Sequence, residues 1–409
     1  MWKYIRKHKK VDSKMLCENR VFYIGAYCGD VNELKRQDIR TNPAGTTKMD
    51  YIIHALKDSG RKVTLFAIAP SKRSGYCPEE IIIKDSLEER IYLPSLVIRI
   101  LGKNIVRGDL SCYFIKKYIR KYVKEGDTVV AYHSLLYKDL LAKLRQEIRF
   151  KLVLEVEEIY HEVIKCKAIV QKQELEILQD ADGYIFSTIN LNERINQKKL
   201  PMIVVNGNYL GEKHVTTDIF RDGKYHCVYA GILEASKGAA LAIRTAEYLS
   251  ERYVVHILGY GSMQEVEEVQ KLIKDIQGKT DCEIRYEGML SGEAYYSLLQ
   301  SAHVGLCTQN LDASYNSTSF PSKVLVYLAN GLRVVSGNVD TIRNSSVGEQ
   351  LYYYNQSTPE EVAACITQID FSKEYDSRKV LKKLDKEIVN DIGKMLYEIN
   401  NRNKRANIK

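Results

Sequence analysis

Ten short runs rich in β-branched and aromatic residues recur along this chain, separated by longer segments of helical period, and that alternation leaves few folds open. Parallel strands cannot be joined by tight turns, so a strand–helix–strand rhythm implies open parallel sheets with helices on their faces. The first five strands are expected near 21–26, 63–68, 128–132, 152–156 and 183–186. The second five fall near 227–230, 254–258, 283–286, 304–306 and 333–335, with helices near 239–249, 263–276, 292–299 and 322–329. At 409 residues the chain has room for two such domains. Turn-forming residues in Val205-Asn206-Gly207-Asn208 place the boundary, giving an N-terminal domain over 1–206 and a C-terminal one over 207–376. A charged amphipathic helix from Ser377 to about Asn400 and a basic tail complete the chain over 377–409. The expected class is α/β, two Rossmann-like domains facing across a cleft. Ligands of open parallel sheets bind beyond the carboxyl ends of the strands, so that cleft is where function is sought.

Composition narrows the function classes. Hydrophobic residues make up 45% and charged residues 28%, which excludes a disordered chain. No run reaches the roughly 18 apolar residues of a membrane span, and the start, Met1-Trp2-Lys3-Tyr4, lacks the apolar block of a secretory signal, so a cytoplasmic protein is expected. Nine scattered cysteines without a C-x-x-C pair read as buried free thiols, not a disulfide frame or a zinc site. Net charge is +9 and uneven: residues 1–210 hold 37 Lys and Arg against 26 Asp and Glu, whereas 211–409 hold 24 against 26. The excess gathers in 1–14 and 99–124, where Tyr113-Phe114-Ile115-Lys116-Lys117-Tyr118-Ile119-Arg120-Lys121 interleaves cations with apolar groups. Such a stretch suits an anionic membrane surface, or equally an amphipathic helix with a solvated basic face. No zinc-finger, helix-turn-helix or RNA-recognition pattern supports a nucleic-acid partner.

Several segments could hold a phosphate. Asn42-Pro43-Ala44-Gly45-Thr46-Thr47-Lys48 precedes a helix expected at 49–56, and its Gly45 reads as a phosphate-approach point or as a plain capped turn. Tyr229-Ala230-Gly231-Ile232-Leu233-Glu234-Ala235-Ser236-Lys237-Gly238 sets Lys237 at a helix start, suited to a diphosphate or simply solvated. Gly259-Tyr260-Gly261 is a strand-to-helix turn without the third glycine of a dinucleotide fingerprint. The most informative segment is Thr318-Ser319-Phe320-Pro321-Ser322-Lys323, where Ser322 and Lys323 open a helix that ends at Asn330-Gly331 before a β-branched strand. Asp180-Ala181-Asp182 imitates a metal-binding acidic pair, but it joins a helix to a strand and reads as a connection, so no metal is expected.

The order of Gly45, Asn206-Gly207, Gly231…Lys237-Gly238, Gly259-Tyr260-Gly261, Tyr286-Glu287-Gly288 and Phe320…Asn330-Gly331 resembles the GT-B glycosyltransferases of family four, bacterial capsule, exopolysaccharide and O-antigen enzymes above all. The resemblance implies a nucleotide-sugar donor, a UDP-sugar, held by the C-terminal domain. It also implies a lipid-linked glycan acceptor held by the N-terminal domain, no cofactor, and metal-independent hexosyl transfer with retention. Lys237 falls where the family places a diphosphate-binding lysine, and Ser322 and Lys323 where a helix start meets the same charge, stabilising the leaving group.

The departures are definite. The family's arginine is Ile232 here, and its two glutamates fall on Thr318 and Val326. Thr318 can still hydrogen-bond a sugar hydroxyl; Val326 cannot hold a ribose. A candidate base stands after the strand 152–156, where Glu157 or Glu158 could take an acceptor proton or could be a solvated helix start; His133 is a second candidate. These losses leave inversion open, and they also define a second function class: a catalytically silent glycosyltransferase-like subunit that binds a partner or glycan.

Overall fold

A computed structural model describes residues 20–406, apart from 30–33, 37, 41, 101–102, 107, 138–139, 164–165, 216–219 and 235–236. The basic segment 1–14 and the end of the basic tail lie outside the described residues. The chain divides into two compact units, one built from residues 1–186, 193–203 and 388–409, the other from 187–192 and 204–387.

The first unit is organised on an eight-stranded sheet in the order β11-β10-β9-β8-β1-β2-β5-β4. Its strands are β1 (Arg20–Gly25), β2 (Lys62–Ala67), β4 (Glu80–Ile83), β5 (Glu88–Tyr92), β8 (Thr128–Tyr132), β9 (Lys151–Val156), β10 (Gly183–Phe186) and β11 (Met202–Val204). β1 pairs in parallel with β2 and β8, β8 with β9, and β9 with β10, while edge strand β4 runs antiparallel to β5. Strands covered on both faces must be apolar throughout, and Val21, Phe22, Tyr23 and Ile24 are all buried. A separate antiparallel sheet orders β3 (Gly75–Cys77), β6 (Ser95–Ile100) and β7 (Lys103–Val106) as β3-β6-β7.

The second unit carries six parallel strands in the order β14-β13-β12-β15-β16-β17: β12 (Tyr225–Ile232), β13 (Tyr253–Tyr260), β14 (Glu283–Gly288), β15 (Val304–Cys307), β16 (Arg333–Gly337) and β17 (Tyr352–Tyr354). The expected two parallel α/β sheets are therefore present, with the C-terminal helix at Arg378–Ala406. Its residues Ile392, Leu396 and Ile399 are buried at helical spacing, and Ile399 lies where a side chain on Gly183 would stand, 2.5 Å from its Cβ position.

Two sequence expectations change. The helix Gly108–Tyr122 buries Ile115, Tyr118 and Ile119 in its own unit, so the stretch 113–121 is an amphipathic helix that turns most of its apolar side inward, with Tyr113 and the basic residues Lys117 and Arg120 exposed. Of the cysteines described, Cys28, Cys227, Cys282, Cys307 and Cys365 are buried free thiols, but Cys77, Cys112 and Cys166 are only half-buried.

Candidate functional site

In the second unit the connections after β12 and after β15 diverge to opposite sides of the sheet, which opens a crevice between the carboxyl ends of these two neighbours. The strands pair only at Cys227 with Val304 and Val228 with Gly305. Beyond that point the Tyr327 hydroxyl bridges them, accepting from the Ala230 amide at 2.9 Å and donating to the Leu306 carbonyl at 3.3 Å. Tyr327 can lie this close to the sheet because residue 305 is glycine: a Cβ there would stand 2.3 Å from the tyrosine ring.

Lys323 enters this crevice from the first turn of the helix Ser322–Ala329. Its ammonium sits 3.8 Å from the centre of the Tyr229 ring and 3.4 Å from the Lys237 carbonyl, to which it donates. Gly231 leaves room for it, since a Cβ at that position would stand 2.5 Å from Lys323 Cε. Burial pushes the Lys323 ammonium down to about 8; Cys307 opposes that shift, and Lys237 adds to it. Lys237 is therefore close enough for the two cations to repel, an arrangement that an anion placed between them would relieve. The helix N-cap, Pro321, supplies no side-chain acceptor; its carbonyl takes the Val324 amide at 3.1 Å, and Ser322 at the start of the turn is exposed.

The loop between β12 and its helix is fastened at both ends. The Tyr229 hydroxyl is directed at the carbonyls of Ile232 and Lys237, at 2.7 and 2.9 Å, and Thr308 Oγ1 donates to the Gly238 carbonyl at 2.7 Å. Gly238 has φ +96°, and a Cβ on it would stand 1.9 Å from the Thr308 carbonyl oxygen, so only glycine fits. Gly259 likewise backs onto the Gly231 carbonyl, 1.7 Å from its Cβ position, and so permits the close approach of β12 and β13. The turn at Gly261 is not an open anion site: Ser262 and Glu265 form a capping box in which the glutamate takes the Ser262 amide at 2.6 Å. Thr318 is buried, and its carbonyl accepts from Thr188 Oγ1 at 3.0 Å.

In the first unit, Gly45 departs from its expected place in a loop. The helix begins at Pro43, and Asn42 Oδ1 accepts from the Gly45 amide at 3.3 Å, so this turn is capped from within. The same helix brings the buried Lys48 to Glu157, whose Oε1 lies 3.1 Å from its ammonium just beyond the end of β9. Strand alternation puts Glu155 on the same face as Glu157. Glu155 is fully buried; Tyr23 donates to its Oε2, and its Oε1 has no hydrogen-bond partner among the described residues. Burial, reinforced by Glu157, pushes the Glu155 carboxyl up to about 8, against the pull of Lys48 and Tyr23. Glu158 is raised too, by burial and by Glu157 and Glu174, with His133 opposing.

His133 is built into a second cluster. Its Nε2 lies 3.0 Å from Glu174 Oε1, and its ring stacks on Tyr160 at 5.0 Å. Glu174 also accepts the amides of Tyr160 and His161 and pairs with His161 Nδ1. Burial works against its charge, but these hydrogen bonds, led by those from His133 and His161, hold it down at about 2. The buried His133 is thus fixed by Glu174, while Glu157, with about a quarter of its side chain exposed, is reachable by an acceptor. Asp180 and Asp182 both grip Arg145, at 2.6 and 2.7 Å, as expected of a helix-to-strand connection. Among the described residues no group of three or more His, Cys, Asp or Glu is placed to hold a metal ion.

Lys48, Glu155, Tyr229 and Thr308 escaped the sequence reading. Lys48 stood at the end of the quoted Asn42–Lys48 segment, but its partner lies 109 positions away and nothing local announces the pair.

No protein-family model matches this sequence, and no curated protein does. Solved structures do match its fold. The trehalose-6-phosphate protein of E. coli bound with UDP-2-fluoro glucose aligns at 12% identity over 93% of this chain and 99% of that chain, with a TM-score of 0.61. An α,α-trehalose-phosphate synthase (UDP-forming) from Burkholderia vietnamiensis aligns at 10% identity over 96% and 99%, TM-score 0.56. That of Burkholderia xenovorans in complex with glucose-6-phosphate aligns at 10% over 95% and 99%, TM-score 0.55. At such identities the likeness shows the fold, which is GT-B. These neighbours are trehalose-phosphate enzymes, not the capsule or O-antigen type of the sequence resemblance.

Proposed function

We propose that this protein is a glycosyltransferase that moves a hexosyl group from a UDP-sugar to a lipid-linked glycan at a membrane surface. The single observation that carries the proposal is the Lys323 ammonium held in the crevice between β12 and β15, within the field of Lys237 and behind glycines that keep the crevice open. A cation held beside a second cation, in a partly dehydrated crevice and over an aromatic face, suits a diphosphate leaving group whose charge grows as the glycosidic bond breaks. The GT-B fold and its structural neighbours, among them a UDP-forming synthase and a protein bound with UDP-2-fluoro glucose, support the donor class.

Glu157, paired with Lys48 and partly exposed, is the proposed base toward an acceptor hydroxyl. The Glu155–Tyr23 pair beneath it supplies a buried, largely protonated neighbour that does not compete for Lys48 at neutral pH. The lipid-linked acceptor rests on the surplus of 11 cations over anions in residues 1–210. A glucose-6-phosphate-like acceptor, as in the complex of one neighbour, is the competing outcome.

The buried Thr318 and the apolar Val326, where the resemblance places glutamates, favour a second reading, a silent subunit that binds glycan or partner. The experiment offers a panel of UDP- and GDP-sugars with membrane lipid extract or glucose-6-phosphate and follows nucleotide release and product mass. Acceptor-dependent release of UDP is expected; no release from any donor with any acceptor favours the silent subunit.

A further inference from the structure

The antiparallel sheet β3-β6-β7 inverts the usual pattern of a half-exposed sheet. Directly paired residues share a face, so the register Tyr76 with Leu96, Ile98 with Ile105 and Ile100 with Lys103 defines one face in full. The opposite face carries Ser95 and Val97, both buried. The outward face should then be polar. Instead it presents Tyr76 at 59% exposure, Ile100 at 49% and Ile105 at 44%, together with the half-buried Leu96 and Ile98. On the neighbouring edge strand β4, Ile81 and Ile83 stand out at 47% and 74%. Tyr76 and Ile81 line one depression, but Glu79 and Glu80 line it too and Glu89 pairs across from Ile83, so the apolar face free of carboxylates is that of the small sheet. Scattered exposed isoleucines need no explanation, but a contiguous face of them marks an interaction surface.

The charges choose the occupant. Among the described residues the one charged side chain of the sheet face is Lys103, paired across from Ile100, and that face holds no carboxylate; Arg99, exposed at the same end of β6, belongs to the opposite face. Self-association through this face would bring the lysines of two copies toward each other in a drying interface. An anionic lipid surface would meet them with headgroup charge while its acyl boundary took the isoleucines. The unit's surplus of cations acts in the same sense over a longer range.

We infer that the outer face of β3-β6-β7 docks this protein on an anionic bilayer. The inference gives the membrane part of the proposed function a location and rests on that part alone; it is independent of the transfer chemistry.

The test is co-sedimentation of the full chain with vesicles of phosphatidylcholine alone or mixed with phosphatidylglycerol, at low and high salt. The variants are Ile100→Ser/Ile105→Ser and Lys103→Glu, both at exposed positions, with thermal unfolding as a control for folding. Binding to the phosphatidylglycerol vesicles is expected, weakened by salt and reduced by about tenfold or more in each variant at unchanged unfolding temperature. No binding to anionic vesicles, or binding that both variants retain, overturns the inference. So does concentration-dependent self-association of the wild type that Ile100→Ser/Ile105→Ser abolishes, because the face then meets a second copy. Vesicle binding without UDP release would leave the docking face standing and refute only the transfer reading.

Discussion

Replacing Lys323 by Met should make this protein more stable while removing its affinity for nucleoside diphosphates. The lysine's ordinary value of 10.5 falls to about 8 in the folded state, first through burial and then through Lys237. A difference of that size corresponds to roughly 3 kcal/mol at about 1.4 kcal/mol per pH unit. The Tyr229 ring beneath the ammonium returns about 1 kcal/mol, and the crevice is not sealed from water, so a net gain of about 2 kcal/mol is expected of the uncharged variant, whose unbranched side chain keeps the packing of the lysine stem. The sign has a definite pH dependence. Below pH 8 the folded wild type carries the full cost of the buried charge. Between 8 and 10.5 the folded state gives up its proton before the unfolded chain does, so wild-type stability rises with pH and the advantage of the variant fades. Thermal unfolding at pH 7 should show the variant melting about 4–8 °C higher, taking 2–4 °C per kcal/mol for a unit of this size. At pH 10 the two proteins should nearly coincide. A variant that melts lower at pH 7, or that keeps the same advantage at pH 10, would refute the reading of Lys323 as a desolvated cation held for a ligand.

Gly238→Ala should cost about 2–4 kcal/mol, from the left-handed backbone and a Cβ 1.9 Å from the Thr308 carbonyl; urea unfolding measures it, and a neutral result would mean that the loop is not fastened as described. Glu155→Gln should flatten the pH dependence of stability. Because the folded carboxyl, at about 8, holds its proton where the unfolded one loses it near 4.5, wild-type stability falls as pH rises between those values. The variant should therefore gain on the order of 2–4 kcal/mol over wild type at pH 8.5 relative to pH 4; parallel pH profiles would show that Glu155 is not perturbed. Glu157→Gln should lower transfer by at least about a hundredfold and leave UDP affinity intact. Equal losses in both would place Glu157 in binding instead.

The core strands were legible because a strand covered on both faces must be apolar throughout: the spans expected at 128–132 and 183–186 coincide with β8 and β10, and the helix at 322–329 is found at Ser322–Ala329. The antiparallel insertion was not legible. In Ser95-Leu96-Val97-Ile98-Arg99-Ile100 the apolar Leu96, Ile98 and Ile100 share one face while the buried residues, Ser95 and Val97, lie on the other, so the alternation points to the wrong side. The start of the helix at Pro43 was obscured by Gly45, which sits in its first turn and owes its place to Asn42. At the crevice between β12 and β15 the sequence showed Lys323 and Lys237 but not the Tyr229 ring beneath Lys323 or the Thr308 hydroxyl that fastens Gly238, because those contacts join residues 94 and 70 places apart. The Lys48–Glu157 pair was hidden for the same reason.

The most direct measurement is calorimetric titration of UDP into wild type and Lys323→Met at pH 8, in two buffers of different ionisation enthalpy. A diphosphate seated beside Lys323 must restore its full positive charge. Saturable wild-type binding with uptake of a fraction of a proton is expected, with affinity at least about tenfold weaker in the variant. Absence of saturable heat, or binding that takes up no proton and survives the substitution, would contradict it.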